Sequence, residues 1–462
     1  MNTSLELTLK GNLVLPGQIV ENGIVGVAGG KIQGIYPADG APGAAERLDF
    51  TGCLIFPGLV DPHVHSLSNP GEGVAAATAA AAAGGVATVI EMPYDKAGAI
   101  NTPERFTAKR AMVEKESHVD IALLATLAKK ATKEEVEPLA KLGPCGVKLS
   151  VFETDPERFP RIDDDVLWEL LPELSRFGIV TSFHAENDVI IEHLIARAKA
   201  AGNTGARHHC LTRPPVTESL AVGKLLELAY WIGFPLHIHH VSHPHCFEMA
   251  RWYRSKGIKN LSMETCPHYL ALCEDDMETI GAMGKINPPL RDKAAVEALW
   301  EFVKSGEVDI VASDHAPWSL AQKNNGSTEN IFSSASGAPG LESLFAIMYT
   351  EGFARRGLPL TRLAALLAEN PARRFGLGDR KGRIEAGLDA DFAVVDPGIE
   401  WIYDASGSRS SAKWSPYAGR KLKGKIIRTI QRGRAIFADG ELLAKPGDGR
   451  FLPVPHAAGR AQ

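Results

Sequence analysis

Two histidines one residue apart close the run Gly58-Leu59-Val60-Asp61-Pro62-His63-Val64-His65. On a β-strand, residues i and i+2 share a face, so His63 and His65 project together from a strand end and can bind one metal ion. Other short apolar runs end in groups of the same chemical kind. Gly146-Val147-Lys148-Leu149-Ser150 carries a lysine, Phe183-His184-Ala185-Glu186-Asn187 a histidine, His237-Ile238-His239-His240-Val241-Ser242 three histidines, and Ser313-Asp314-His315-Ala316-Pro317 an aspartate. Any one of these alone reads as a satisfied buried polar residue. A lysine on an apolar strand must pair, lose its proton or be modified. Desolvation favours the neutral amine, which reacts with CO2 to give a carbamate, an anion with two oxygens that can bridge two cations.

Eight short apolar runs position these groups: Leu59–His63, Ala87–Met92, Ile121–Leu127, Gly146–Val151, Ile179–His184, Pro235–Val241, Leu261–Thr265 and Asp309–Ser313. Amphipathic helical patterns such as Val166–Phe177, Ala221–Trp231 and Ala294–Lys304 lie between them. Near-continuous apolar strands alternating with helices indicate a parallel sheet covered on both faces, and eight units indicate an α/β fold of the (β/α)8 TIM-barrel type. Functional groups of such a barrel sit at the C-terminal ends of its strands, so His63, His65, Lys148, His184, Asp314 and a histidine from His237-Ile238-His239-His240 would converge on one rim. A doubly wound sheet is disfavoured, because no glycine-rich phosphate loop follows an early strand.

The flanks read as β-structure. Leu5–Leu9, Leu13–Leu15, Ile24–Ala28 and Lys31–Tyr36 precede the barrel; Ala390–Asp396, Lys425–Ile430 and Ala435–Ala438 follow it. Neither set buries a core alone. They are expected to join in a small β-sandwich formed by residues 1–57 and 384–462, around a barrel of residues 58–383. The alanine-rich stretch from Gly73 to Ile90 reads as a short helix and a strand, not a membrane span, because Gly84-Gly85 breaks it.

Of the 462 residues, 45% are hydrophobic and 23% charged, which suits a large globular core. A net charge of −5 offers no broad basic field, so no nucleic-acid partner is expected, and no membrane partner either. The six cysteines include no CxxC pair, and the N-terminus has no basic, apolar leader. Both observations suit a cytoplasmic protein with reduced thiols.

Taken with Glu264-Thr265-Cys266-Pro267-His268-Tyr269, Asn287-Pro288-Pro289-Leu290-Arg291-Asp292 and Ser415-Pro416-Tyr417, these motifs resemble the cyclic amidohydrolases of the amidohydrolase superfamily over nearly the whole chain. That group holds hydantoinase/dihydropyrimidinase, allantoinase and dihydroorotase. The resemblance implies a binuclear zinc site, with His63, His65 and Asp314 on one metal and His184 and His240 on the other. N6-carboxylated Lys148 and a hydroxide would bridge the two. It implies attack on a ring amide carbonyl, with Asp314 as the catalytic proton carrier to the leaving nitrogen. Strand alternation puts His240 on one face and His237 and His239 on the other; the family motif selects His240, with His239 as the runner-up. His208, His209, His243, His245 and His268 read as surface residues or as residues behind the ligands, and His315 is expected to point away from the metals.

The resemblance is less specific about substrate. Dihydroorotases carry an arginine just after the His-x-His, where this chain has Ser66-Leu67-Ser68, although Asn287 and Gly337–Glu342 look dihydroorotase-like. The tyrosine that many D-specific hydantoinases place after the strand-four lysine is missing from Phe152-Glu153-Thr154-Asp155-Pro156. An uncharged cyclic ureide or imide, of hydantoin, allantoin or dihydropyrimidine type, is the small-molecule substrate expected. Asn287, Phe152 and Trp318 are the substrate-binding candidates. The loop from Trp318 to Ser334 reads either as a mobile lid or as a plain surface insertion. A homotetramer or dimer is implied. A dihydroorotase-like enzyme is the alternative, then a non-catalytic dihydropyrimidinase-like scaffold, against which every ligand position is filled. A mononuclear deaminase is disfavoured by Lys148.

Overall fold

A computed structural model describes residues 5–38, 40–69 and 71–459. Its first four strands are β1 (Leu5–Leu15), β2 (Gln18–Ala28), β3 (Lys31–Tyr36) and β4 (Ala44–Pro57). Eight parallel strands follow: β5 (Leu59–Val64), β6 (Val86–Glu91), β7 (Asp120–Ala125), β8 (Gly146–Ser150), β9 (Thr181–His184), β10 (Leu236–Ile238), β11 (Leu261–Thr265) and β12 (Ile310–Val311). The last four are β13 (Phe392–Ile402), β14 (Lys421–Gln431), β15 (Arg434–Ala438) and β16 (Glu441–Leu442).

β5 to β12 hydrogen-bond in sequence order, as a TIM barrel requires. The barrel closes just beyond the strand ends: the His65 N–H donates to the His315 carbonyl (2.8 Å) and the His315 N–H to the His63 carbonyl (3.1 Å). Closure therefore runs through the two motifs that carry His63, His65 and Asp314. The helices turn apolar stripes to the sheet. In Asp164–Arg176, Leu167, Leu170, Leu171 and Leu174 are buried at helical spacing while Asp164 and Asp165 lie in the first turn. The helix Gly73–Ala83 is followed by Gly84 and Gly85; Gly85 has φ of +83°, and a Cβ there would meet Ile426 Cδ1 at 2.9 Å.

The terminal strands form one mixed sheet in the order β16-β15-β14-β13-β4-β1-β2-β3, the β-sandwich part of the fold. β4 holds it together, pairing parallel with β1 and, through Leu54–Pro57, antiparallel with β13. The two runs expected at Leu5–Leu9 and Leu13–Leu15 are one strand whose register shifts between Gly11 and Leu13. Leu7, Leu9, Val25, Ile55, Phe392 and Ile430 bury its core. Arg450–Val454 runs beneath the barrel, where Leu452 N–H donates to Ile121 O (2.8 Å) and Leu452 packs with Val60, Ile90 and Leu124. Among the described residues no helix is long and apolar enough to cross a membrane.

Candidate metal centre

The barrel brings His63, His65, Lys148, His184, His240 and Asp314 to the wall of one cavity of about 300 Å³. Asp314 Oδ1 lies 3.1 Å from His63 Nε2 and 3.6 Å from His65 Nε2, and the two Nε2 atoms are 3.3 Å apart. A tetrahedral zinc with ligand bonds near 2.0 Å has edges of about 3.3 Å, so these three atoms already outline one face of such a site. Nearby, His184 Nδ1 lies 3.0 Å from His240 Nε2.

Hydrogen bonds behind the rings decide which nitrogen faces the cavity. His63 gives its Nδ1 proton to Glu264 Oε1 at 2.8 Å, leaving the Nε2 lone pair free. His65 Nδ1 meets Ser68 Oγ at 3.0 Å; that hydroxyl donates to the Tyr94 carbonyl (2.6 Å), so it accepts from His65. His184 is turned the other way: Nε2 donates to Glu186 Oε2 at 2.9 Å and presents Nδ1. Both Glu186 oxygens accept from Arg213 Nη1 at 2.7 Å, and Arg213 holds Glu186 down to about 2 although burial opposes this. Burial pushes the His63, His65 and His240 imidazoles well below the ordinary histidine range, so they stay neutral and ready to ligate.

Lys148 sits mid-strand on β8, opposite Ser182 on β9. It is 2% exposed, and its Nζ has no hydrogen-bond partner among the described residues. Burial pulls the amine below the ordinary lysine range, and burial pushes the Asp314 carboxyl up. An orphaned, proton-shedding amine beside four neutral imidazoles and a carboxylate fits a carbamate between two cations. As an unmodified ammonium it would repel them.

Strand alternation misplaces the histidines of β10. The strand ends at Ile238, and His240 has φ of +40°, which swings its ring back to 4.7 Å from that of His184. His239 is not on an opposite face; its ring lies 4.4 Å from His63, below the cavity, and its Nδ1 is 3.2 Å from Glu264 Oε2. His237 Nε2 approaches the same oxygen at 3.4 Å, and the His240 N–H donates to Oε1 at 3.2 Å. Glu264 thus touches both halves of the site. Its family motif was legible, but its role was not. His315 faces away, with Nε2 3.2 Å from Glu72 Oε1. His209 and His268 are buried behind the site, and His245 is exposed.

Two further clusters have metal-like composition. His63, His239 and Glu264 gather ligand-type atoms within 4.8 Å, but their contacts are the hydrogen bonds just described. Asp120, Asp389 and Asp391 surround Lys381, whose ammonium fills the centre.

Asn287, Phe152 and Trp318 all line the cavity, together with Tyr94, Phe159, Ser336 and Gly337. Asn287 Oδ1 has no partner among the described residues. The Phe152 ring lies 5.6 Å from that of His184, with the Arg213 guanidinium 5.1 Å from its centroid. The Trp318 loop is tied rather than loose: Trp318 Nε1 donates to Ser336 O (2.8 Å), Trp414 Nε1 donates to Trp318 O (2.6 Å), and Ile331 N–H donates to Thr204 O (2.8 Å).

Residues 54–436 match the amidohydrolase family model. An allantoinase of Deinococcus radiodurans is 37% identical over 453 residues, covering 97% of this chain and 99% of that protein. An allantoinase of Rubrobacter xylanophilus is 38% identical over 454 residues, with 97% and 98% coverage. Among solved structures, an L-hydantoinase (dihydropyrimidinase) from Arthrobacter aurescens superposes with a TM-score of 0.92 at 30% identity, covering 97% of this chain and all of that one. A dihydropyrimidinase from Brevibacillus agri gives 0.89 at 26% identity, with 97% and 99% coverage.

Proposed function

The chain belongs to the amidohydrolase family and is a hydrolase of cyclic-amide C–N bonds, and we propose that it opens the hydantoin ring of an allantoin-type ureide at a pair of zinc ions. His63, His65 and Asp314 would hold one ion and His184 and His240 the other, with carboxylated Lys148 between them. Lys148 would form that bridge by adding its neutral amine to CO2, forming an N–C bond and releasing one proton. Two bound cations would supply Lewis acidity and a water acidic enough to attack near neutral pH.

The chain's own groups do the rest. Asp314, whose carboxyl burial makes a better proton holder, takes a proton from the attacking water and returns it to the leaving ring nitrogen. Glu264, Ser68 and Glu186 keep three imidazoles in the tautomers that present lone pairs. Phe152 and Trp318 pack against the ring, and Asn287 offers an amide to its polar edge.

The cavity lining carries the substrate assignment. Apart from Lys148, no lysine or arginine is among its described lining residues, while Asp314 is. A substrate carboxylate would find no guanidinium partner there, which favours an uncharged ring. The allantoinase relatives support the hydantoin ring with a ureido arm. Exposed Trp231, Val189, Leu211 and Trp252 on neighbouring helices support a homo-oligomer, dimer or tetramer; we place it in the cytoplasm. Zinc-reconstituted enzyme should be assayed on allantoin, hydantoin, dihydrouracil, succinimide and dihydroorotate. Allantoin is expected to lead in kcat/KM by about tenfold or more. A lead by dihydroorotate would overturn the assignment.

A further inference from the structure

Lys323 lies in the Asn-, Gly- and Ser-containing loop after β12, in a setting where a lysine would ordinarily be solvated. Instead it is fully buried. Its Nζ donates to three main-chain carbonyls: Lys285 at 3.0 Å, Ala335 at 2.9 Å and Gly337 at 3.0 Å. The Trp414 ring centroid lies 5.5 Å away. A protonated lysine has three N–H donors and a neutral one has two, so the three acceptors call for the ammonium.

These carbonyls belong to the substrate side of the cavity. Lys285 is two residues before Asn287, and Ser336 and Gly337 line the cavity directly. Successive carbonyls of this wall are each held by a side chain: Ser334 by Lys285 Nζ (2.5 Å), Ala335 and Gly337 by Lys323, Ser336 by Trp318. The Gly337 N–H also donates to Lys285 O at 2.9 Å. Removing the ammonium would take a donor from three buried carbonyls at once; Lys285 O would keep the Gly337 N–H, Ala335 O would keep the Ser334 hydroxyl at 3.3 Å, and Gly337 O would lose its side-chain donor.

We propose that Lys323 is a positioning residue: its ammonium clamps residues 285–287 to 334–337 and so sets how tightly the cavity holds a cyclic amide, without touching substrate or metal ligands. The role rests on the hydrolytic reading above. It also implies a pH response. Lys285 is the charged group that bears on Lys323; the other contacts are carbonyls and Trp414. Burial and that neighbouring ammonium both favour losing the proton, so raising the pH would release the clamp.

The test compares wild type with Lys323→Met in metal-loaded enzyme. The variant should keep its metal content and a kcat within about threefold of wild type, while KM rises about tenfold. Wild-type KM should climb toward alkaline pH; that of the variant should start high and climb less, the remaining rise coming from Lys285, which burial pulls down to about 8. Amide hydrogen exchange at residues 334–337 should accelerate in the variant and stay unchanged on β5–β9. Unchanged KM, or unchanged exchange at 334–337, would overturn the clamp. If wild type hydrolysed none of the cyclic amides, the hydrolytic reading would fall, and the exchange result would still decide the clamp. Should Lys323→Met not fold, Lys323→Gln, which keeps two donors, is read by the same measurements.

Discussion

Lys148 and Lys381 are equally hidden, at 2% exposure each, yet they meet opposite surroundings. Lys381 Nζ lies 2.6 Å from Asp120, 2.6 Å from Asp391 and 2.9 Å from Asp389, and these carboxylates raise its pKa in spite of burial. Lys148 Nζ has no partner among the described residues, and burial lowers it. Lys381 is a fastener that joins the start of β7 to the approach to β13. In the proposed function Lys148 is a reagent, and its amine gives up its proton more readily than an ordinary lysine. Counter-charge, not burial, separates the two roles.

The sharpest way to break this contrast is to remove each amine. Lys148→Met should fold normally and lose activity by about 10³-fold or more, because the proposed bridging anion could not form. Partial recovery with a short carboxylic acid would sharpen the assignment; near-full activity without one would end it. Lys381→Met should do the reverse. It leaves three carboxylates around one buried point, so denaturant unfolding should show a loss of about 3–5 kcal/mol, with activity per folded molecule retained.

The same contrast has a pH signature. The folded pKa of Lys381 lies above its unfolded value of about 10.4, so its stabilisation is whole below that pH and is lost as the pH climbs through the folded value. Urea titrations at alkaline pH should therefore show wild type losing stability more steeply than Lys381→Met. Glu264→Gln is expected to weaken metal binding by about 10- to 100-fold, measured by chelator competition, because one carboxylate supports His63 and His240 together. Smallest is the control: Lys141→Ala breaks a solvated pair with Glu137 and should leave the denaturation midpoint unchanged.

Much of this was legible because barrel strands buried on both faces read as unbroken apolar runs, and Leu261–Thr265 was bounded correctly. β4 was missed because its first half, Ala44–Phe50, alternates polar residues on an open surface and gains its partners from distant chain. The His240 turn depends on a positive φ that strand periodicity does not encode. Lys323 was passed over for a related reason: its acceptors are carbonyls, which composition cannot reveal. Lys148 was legible because an isolated charge in an apolar strand is a local contradiction.

The proposed metal pair stands or falls with the Lys148 amine. Apo-enzyme should be mixed with zinc and ¹³C-bicarbonate and followed by ¹³C NMR alongside metal analysis. The expected result is about one carbamate carbon and about two zinc ions per chain, both missing the bridge-dependent share in Lys148→Met. Two zinc ions bound with no carbamate signal would contradict it.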